Sequence, residues 1–511
     1  MQSVAAELLL QRWSSAPEAE ARQPANRRLY GCLRQSIFGG SIPATAKLPA
    51  SRDLAALLGV SRNTVKHAYE QLMAEGYLRT RIGSGTFVAD VLPEQVLWPA
   101  ARQSASAKGP DAARAEDRLS GRGRKVVDGA QASPVQWGAF IPGVPDVTEF
   151  PQHKLERIAA RWRRSPPAEW LSYASGGGHP DLRGALARYL RQARSVVCDA
   201  DQILITEGVH QAVDLASRML ADHGQRAWLE EPGYWGVRSV LAMNGLSVDP
   251  IPVDEEGLQL PEAVDPPQLI FVTPSHQYPL GSVMSLARRL RLLEYARQHS
   301  CWIVEDDYDS EFRFSGHAIP SLQGLTADAP VIYIGTFSKT LYPGLRVAYM
   351  VLPATLAASF RTAHAELYRE GHMLTQAALA AFIEEGHYAA HIRRMRLIYA
   401  ERRSALLELN ERRLGPGWVH PHDSNAGLHL VMTLPPDVDD VLVARLARER
   451  GVLVRPLSRY YAGQANARGL LLGFAAVAAH AMAAPFDVLV SCLGSARGPA
   501  PAHPGRGRIA G

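Results

Sequence analysis

At 511 residues, with 47% hydrophobic and 21% charged residues and a formal charge of +5, the chain is long for one domain and ordinary in composition for a globular protein. No run approaches the roughly 18 apolar residues of a spanning helix, and the start, MQSVAAELLLQRWSS, has no basic n-region. The four cysteines (Cys32, Cys198, Cys301, Cys492) form no CxxC pair, which argues against a metal site and a disulfide framework and for a reduced, cytoplasmic protein.

Residues 1–89 carry 11 Lys+Arg against 6 Asp+Glu, an excess that equals that of the whole chain. A polyanion partner is expected there. Within 26–89 the pattern predicts two short helices, a tight turn and a hairpin. Ser51 is expected to cap a helix that Gly59 ends, and Ser61 to cap a second. In the second, Val65, Tyr69 and Leu72 share one face at i, i+4, i+7. Gly76 suits its C-terminal end. Arg62, Asn63, Thr64 and Lys66 lie at its N-terminal end, which meets base edges in a helix-turn-helix. Arginine suits guanine and asparagine suits adenine. The run YLRTRIGSGTFVA then reads as a hairpin with its tip at Gly83–Gly85, a wing against the phosphate backbone.

The stretch LPASRDLA..LGVSRNTVKHAYEQLMAEGYL......GSGTFV closely resembles the winged-helix domain of the GntR superfamily. The resemblance implies a DNA-binding domain over 24–89, with double-stranded operator DNA as partner. It assigns DNA contacts to Arg52, Ser61, Arg62, Asn63 and Thr64, with His67 secondary. The segment SIPATAKLPAS lacks the glycine usual in that family before the basic residue.

Residues 90–135 are rich in Ala, Ser, Gly, Arg and Asp without sustained periodicity, and read as a flexible linker. From 136 to 493, β-rich runs such as QILIT, LIFVT, CWIVED and VIYIG alternate with helical stretches, which predicts an α/β fold with a mostly parallel sheet. The tail 494–511 is Pro-, Gly- and Arg-rich and reads as disordered.

The run VIYIGTFSKTLYPGLRVAY puts Lys339 just beyond an apolar strand. A desolvated lysine is nucleophilic and can form a Schiff base with an aldehyde. The aldehyde cofactor with a phosphate and a pyridine ring is pyridoxal 5'-phosphate. Such a cofactor needs a carboxylate at the ring nitrogen, donors for the phosphate and a stacking ring. Asp306 and Tyr308 end the strand CWIVEDD and alternate in period 2, so they can point the same way, toward ring nitrogen and ring hydroxyl. The turn at Gly208, Val209 and His210 opens a helix and offers backbone amides to phosphate. Thr336 and Arg346 flank the lysine as further phosphate ligands, and Tyr234 follows a Pro-Gly turn as the stacking ring.

The order of FIPGVPDVTEFP, YASGGGHPDLRGALARYL, ITEGVHQAVDL, EEPGYWGVR, TPSHQYPLGSVMS, EDDYDSEFR, GTFSKTLYPGLRVAY and HIRRMRLIYAERR resembles fold-type I aminotransferases over about 138–476. Joined to the winged helix, the chain resembles the MocR family of transcriptional regulators. The resemblance implies a homodimer, a small C-terminal α+β subdomain, and Tyr173 reaching the phosphate across the dimer interface. It implies transcription regulation by an amine or amino-acid effector; the alternatives are a working aminotransferase with an accessory DNA-binding domain, or a regulator that has lost its cofactor.

Three positions depart from the aminotransferase pattern. Tyr278 stands where an asparagine usually bonds the ring hydroxyl, with Gln277 or His276 as substitutes. Val209 stands where the phosphate loop has Ser or Thr. Leu471 stands where an arginine binds the substrate carboxylate, with Arg455, Arg459 and Arg468 nearby in sequence. Leu471 argues against ordinary transamination.

Overall fold

The computed structural model describes all residues except 1–3, 15–22, 82–83, 91–117, 131–134, 175, 262–264, 316–319, 327, 370, 421–422, 424 and 497–511. The wing tip at Gly83, most of the expected linker and nearly all of the expected tail lie outside the described residues. Residues 1–118 and 119–511 form two compact units. Among the described residues no helix is long and apolar enough to cross a membrane.

Among its described residues the first unit holds the helices α1 (Val4–Ser14), α2 (Ala25–Phe38), α3 (Ser51–Leu58) and α4 (Arg62–Ala74), and a hairpin of β1 (Leu78–Arg81) and β2 (Gly85–Val88). Val65, Ala68, Tyr69 and Leu72 of α4 bury one stripe against Leu29, Leu33, Leu54 and Leu58. Gly59 closes α3 in the left-handed region, φ +67°. Ser61 caps α4, its Oγ accepting from the Thr64 amide at 3.1 Å. Ser51 differs from expectation: it is the first residue of α3, and the cap position is Ala50, with no side-chain bond. The helix α1 was not foreseen. It adds Leu9 to the same core, and Trp13 receives the Arg28 guanidinium 3.9 Å from its ring centroid.

In the second unit the strands are β3 (Ile203–Thr206), β4 (Arg226–Glu231), β5 (Ser247–Asp254), β6 (Gly257–Leu258), β7 (Leu269–Val272), β8 (Trp302–Asp307), β9 (Val331–Thr336) and β10 (Ala348–Val351). They form one sheet in the order β3-β10-β9-β8-β7-β4-β5-β6. From β9 to β5 all neighbours are parallel, whereas β10 runs against both β3 and β9. Strands β3, β7, β9 and β10 are buried along their whole length, as expected for a sheet with helices on both faces. A second, antiparallel sheet follows, of β11 (His429–Thr433), β12 (Arg455–Pro456) and β13 (Gly469–Gly473), with β13 central. Helices Asp440–Glu449 and Ala483–Ser495 accompany it, and the 28-residue helix His387–Leu414 shares its core.

Part of the stretch read as linker is folded. Gly121–Asp128 is a helix whose cap, Ser120, accepts from the Gly123 amide at 3.1 Å. Arg122 Nη1 donates to the Met243 carbonyl at 3.1 Å. Eight residues with two glycines have little helix propensity, so a cap and a distant docking partner hold this helix.

Candidate functional site

In the first unit the helix-turn-helix exposes Arg52, Arg62, Asn63 and His67. Asn63 and His67 point away from the buried stripe of α4, Arg62 stands at its first turn, and Arg52 lies on α3. Arg62 Nε reaches the Ser51 Oγ at 3.5 Å. Ser61 and Thr64 are engaged with each other at the cap, their hydroxyls 2.9 Å apart. The structure gives these two a local role in starting the reading helix.

In the second unit the parallel strands deliver their C-terminal ends to one edge, where α/β sheets bind ligands. Lys339 follows β9 by three residues. Its Nζ donates to the Gly143 carbonyl at 2.7 Å. Burial lowers the Lys339 pKa; Asp309 and Asp306 oppose this, and Arg455 adds to it. Alternation along β8 sorts the acidic residues. Glu305 accepts from the Leu322 and Gln323 amides, and Asp307 pairs with the Arg194 Nε at 2.7 Å and accepts from the Tyr333 hydroxyl. Asp306 has no such partner: its Oδ1 is buried without a hydrogen bond. Burial and the neighbouring Asp307 push its pKa up to about 7, against the pull of Lys339.

The phosphate candidates converge because β10 lies between β3 and β9. Ala348 is in register with both Thr206 and Thr336. Arg346, two residues ahead, therefore swings over the turn after β3. Its Nη2 donates to the Glu207 carbonyl at 2.8 Å. Gly208 has φ +99° and opens the helix Val209–Leu220 with no side-chain cap. A Cβ on Gly208 would lie 2.6 Å from Arg346 Nη2. This position needs glycine both for its backbone and for its space. Val209 adds no hydroxyl, so the cradle consists of helix-terminal amides and one guanidinium. The Thr336 Oγ1 accepts from the Ser338 amide at 3.1 Å, shaping the turn that leads to the lysine.

Around this edge the aromatic residues interlock. The Tyr234 hydroxyl lies 3.0 Å from His210 Nε2, and its ring meets Tyr278 edge-on at 5.8 Å. The Tyr278 hydroxyl reaches that of Tyr460 at 2.9 Å. The Tyr308 hydroxyl lies 2.9 Å from His276 Nδ1, which is also 3.0 Å from Asp309 Oδ1. Of the two substitutes for the missing asparagine, Gln277 is used up, its amide nitrogen on the Pro232 and Tyr278 carbonyls and its oxygen on the Leu280 amide. His276 is the one that touches Tyr308. Sequence reasoning missed Asp309, Gly143 and the His210–Tyr234 contact; only the acidic run EDDYD held a signal, and only for Asp309.

Tyr173 is 77% exposed, with the Arg369 guanidinium 5.6 Å from its ring centroid. Leu471 is fully buried among Val431, Leu457 and Tyr460. Arg468 is held near Asp439 and Asp440, at 3.7 and 3.5 Å. Arg455 is the register partner of Leu471 across β12 and β13.

These residues fit pyridoxal phosphate. The orphaned carboxylate oxygen of Asp306 suits a protonated ring nitrogen, and a side chain on Gly208 would fill the cradle beside Arg346. Among the described residues no cluster could hold a metal ion.

The model for aminotransferase class I and II matches residues 148–471, and that for bacterial regulatory proteins of the gntR family matches residues 25–88. The chain is 40% identical to the probable rhizopine catabolism regulatory protein MocR of Rhizobium meliloti, over 90% of this chain and 92% of that one. It is 32% identical to the pyridoxine biosynthesis transcriptional regulator PdxR of Corynebacterium glutamicum, over 86% and 90%. Among solved structures, the α-aminoadipate aminotransferase LysN of Thermus thermophilus superposes with a TM-score of 0.63 at 28% identity, covering 75% of this chain and 97% of that one. An archaeal alanine:glyoxylate aminotransferase gives 0.66 at 24%, covering 74% and 98%, a likeness of fold.

Proposed function

From the premise that this chain belongs to the MocR family, transcriptional regulators that join a GntR-type winged helix to an aminotransferase domain, we propose that Lys339 is the residue that would hold pyridoxal phosphate at this edge and that the chain senses an amine effector there. The observation that carries this reading is the Asp306 Oδ1, buried without a hydrogen bond at the end of β8. Bound there, pyridoxal phosphate supplies an aldehyde carbon for amine condensation and an electron-withdrawing ring.

The chain's own residues do the rest. Burial leaves Lys339 readily deprotonated, and the Gly143 carbonyl fixes its amine. Asp306 holds the proton on the ring nitrogen. Arg346 and the amides at Gly208, Val209 and His210 bind the phosphate, and Tyr234 stacks on the ring. Tyr308, steadied by His276, serves the ring hydroxyl. Arg52, Arg62, Asn63 and His67 meet DNA. The second copy of a homodimer supplies Tyr173 to the phosphate, which accounts for an aromatic side chain left exposed in the single chain. Leu471 makes turnover the minor role, because an apolar side chain stands where substrate carboxylates are bound.

Effector and DNA binding are then reciprocally coupled. The test is a screen of amines and amino acids against the visible absorption of the loaded protein, with each active compound assayed for altered DNA affinity. A protein that never takes up pyridoxal phosphate, or whose active compounds leave DNA affinity unchanged, contradicts the proposal.

A further inference from the structure

We infer that Tyr460 of the C-terminal subdomain is a positioning residue of the cofactor edge: it clasps Tyr278 and the turn that carries Tyr234, and so sets the ring that stacks on pyridoxal phosphate. The effect on stacking rests on the reading above; the clasp on the turn does not.

Tyr460 ends the short helical turn Leu457–Tyr460 that follows β12, and it is 1% exposed. Asp440, a fully buried carboxylate, anchors this turn: it accepts from the Ser458 amide at 2.9 Å and from the Ser458 hydroxyl at 2.8 Å. From that seat Tyr460 reaches two segments at the C-terminal edge of the large sheet. Its carbonyl accepts from the Gly233 amide at 3.1 Å and from Arg238 Nη2 at 3.3 Å. Arg238 is itself held by Glu231 Oε2 at 3.0 Å, and Glu231 Oε1 accepts from the Ala462 amide. These bonds bracket Tyr234, which stands between Gly233 and the helix Trp235–Met243. The Tyr460 hydroxyl lies 2.9 Å from that of Tyr278, and the two rings meet edge-on at 5.3 Å. Tyr278 in turn meets Tyr234 edge-on at 5.8 Å and Tyr308 at 5.5 Å. A stacking ring is placed only as well as its backbone and its neighbours are held.

Two of the departures from the aminotransferase pattern meet on this residue. Tyr278 stands where an asparagine is usual, and its hydroxyl is turned to Tyr460. Leu471 stands where an arginine is usual, and it shares a buried apolar cluster with Tyr460, Leu457 and Val431. An asparagine at 278 is too short to span to the Tyr460 hydroxyl, and an arginine at 471 would bring a charge into that cluster. Tyr278 and Leu471 therefore have one purpose in common, which is to seat Tyr460 against the turn of Tyr234.

The experiment places Tyr460→Phe and Tyr278→Phe, singly and together, in the full chain, with Tyr295→Phe as the control. Each of the first two removes one hydroxyl of the pair and leaves ring and backbone in place. Tyr295 lies on the helix Leu286–Gln298 and stacks on Trp228. In the cofactor-free chain, hydrogen exchange at the Gly233 amide should quicken about three- to tenfold in either single variant, the factor that one net hydrogen bond carries, and no further in the double variant. In the loaded chain the visible circular dichroism of bound pyridoxal phosphate should change in the same three variants, a signature of ring placement that a general loss of stability does not move. Tyr295→Phe should leave both readouts unchanged. Far-ultraviolet circular dichroism checks folding, and either single variant that folds is sufficient for both readouts. Unchanged exchange at Gly233, unchanged visible dichroism in the loaded, folded variants, or additive effects in the double variant overturns the inference. An unsubstituted chain that takes up no pyridoxal phosphate, with exchange at Gly233 responding as expected, overturns the proposed function instead and leaves the clasp standing.

Discussion

Arg346 Nη2 stands 2.6 Å from the point where a side chain on Gly208 would begin. The two residues are 138 positions apart, yet β10, in register with β3, brings them together. Gly208→Ala must both occupy φ +99° and displace the guanidinium. It is expected to weaken pyridoxal phosphate at least about tenfold, by visible-absorption titration. Unchanged affinity would place the phosphate elsewhere.

His276 Nδ1 lies 2.9 Å from the Tyr308 hydroxyl, so on the proposed reading it acts on the ring hydroxyl through Tyr308. His276→Ala is therefore expected to change the visible absorption of the loaded protein and its pH dependence. The double variant with Tyr308→Phe should be no worse than Tyr308→Phe alone. Additive losses would mean that His276 has a contact of its own.

In the reading helix, Arg62→Ala should weaken operator binding by about 1–3 kcal/mol and leave cofactor uptake unchanged. Ser61→Ala should instead cost about 1 kcal/mol of helix stability through the lost cap. Gel-shift titration and thermal unfolding of the two variants separate these effects. Full affinity in Arg62→Ala would show that another element reads the bases.

The buried carboxyls make the cofactor-free chain sensitive to pH. Burial pushes Glu230, Glu305, Asp306 and Glu311 up to about 7, from ordinary values of 4.5 for the glutamates and 3.8 for the aspartate. Between these values the folded chain keeps protons that the unfolded chain has released, so the stability these carboxyls contribute falls as pH rises from about 5 to about 7, opposed below about 6.5 by His364, His391 and His429, which burial pushes down to about 4. Asp306→Asn removes one falling contribution, so the slope of its thermal midpoint against pH across that window should be more positive than in the unsubstituted chain. An unchanged slope contradicts the account.

Local signals made much of this molecule legible. The stripe Val65, Tyr69, Leu72 and the Ser61 cap are short-range patterns, and they fold as read. The alternation along β8 separates Asp306 from Asp307 within one strand. What stayed hidden is set by distant chain. Ser51 looked like a cap, but α3 begins one residue earlier. The helix Gly121–Asp128 depends on Met243, far along the chain, and its own sequence resembles a linker. Arg455 could not be told from other arginines until the register of β12 and β13 set it opposite Leu471. His276 gained meaning only once Tyr308 and Asp309 were folded against it.

The central claim is that occupancy of Lys339 is coupled to the winged helix. The direct measurement is fluorescence anisotropy of labelled operator with the loaded protein, the cofactor-free protein and loaded Lys339→Ala, each with and without an amine identified in the absorption screen. The account predicts that the amine shifts operator affinity in the loaded protein alone. The same shift in Lys339→Ala, or no shift in any form, would contradict it.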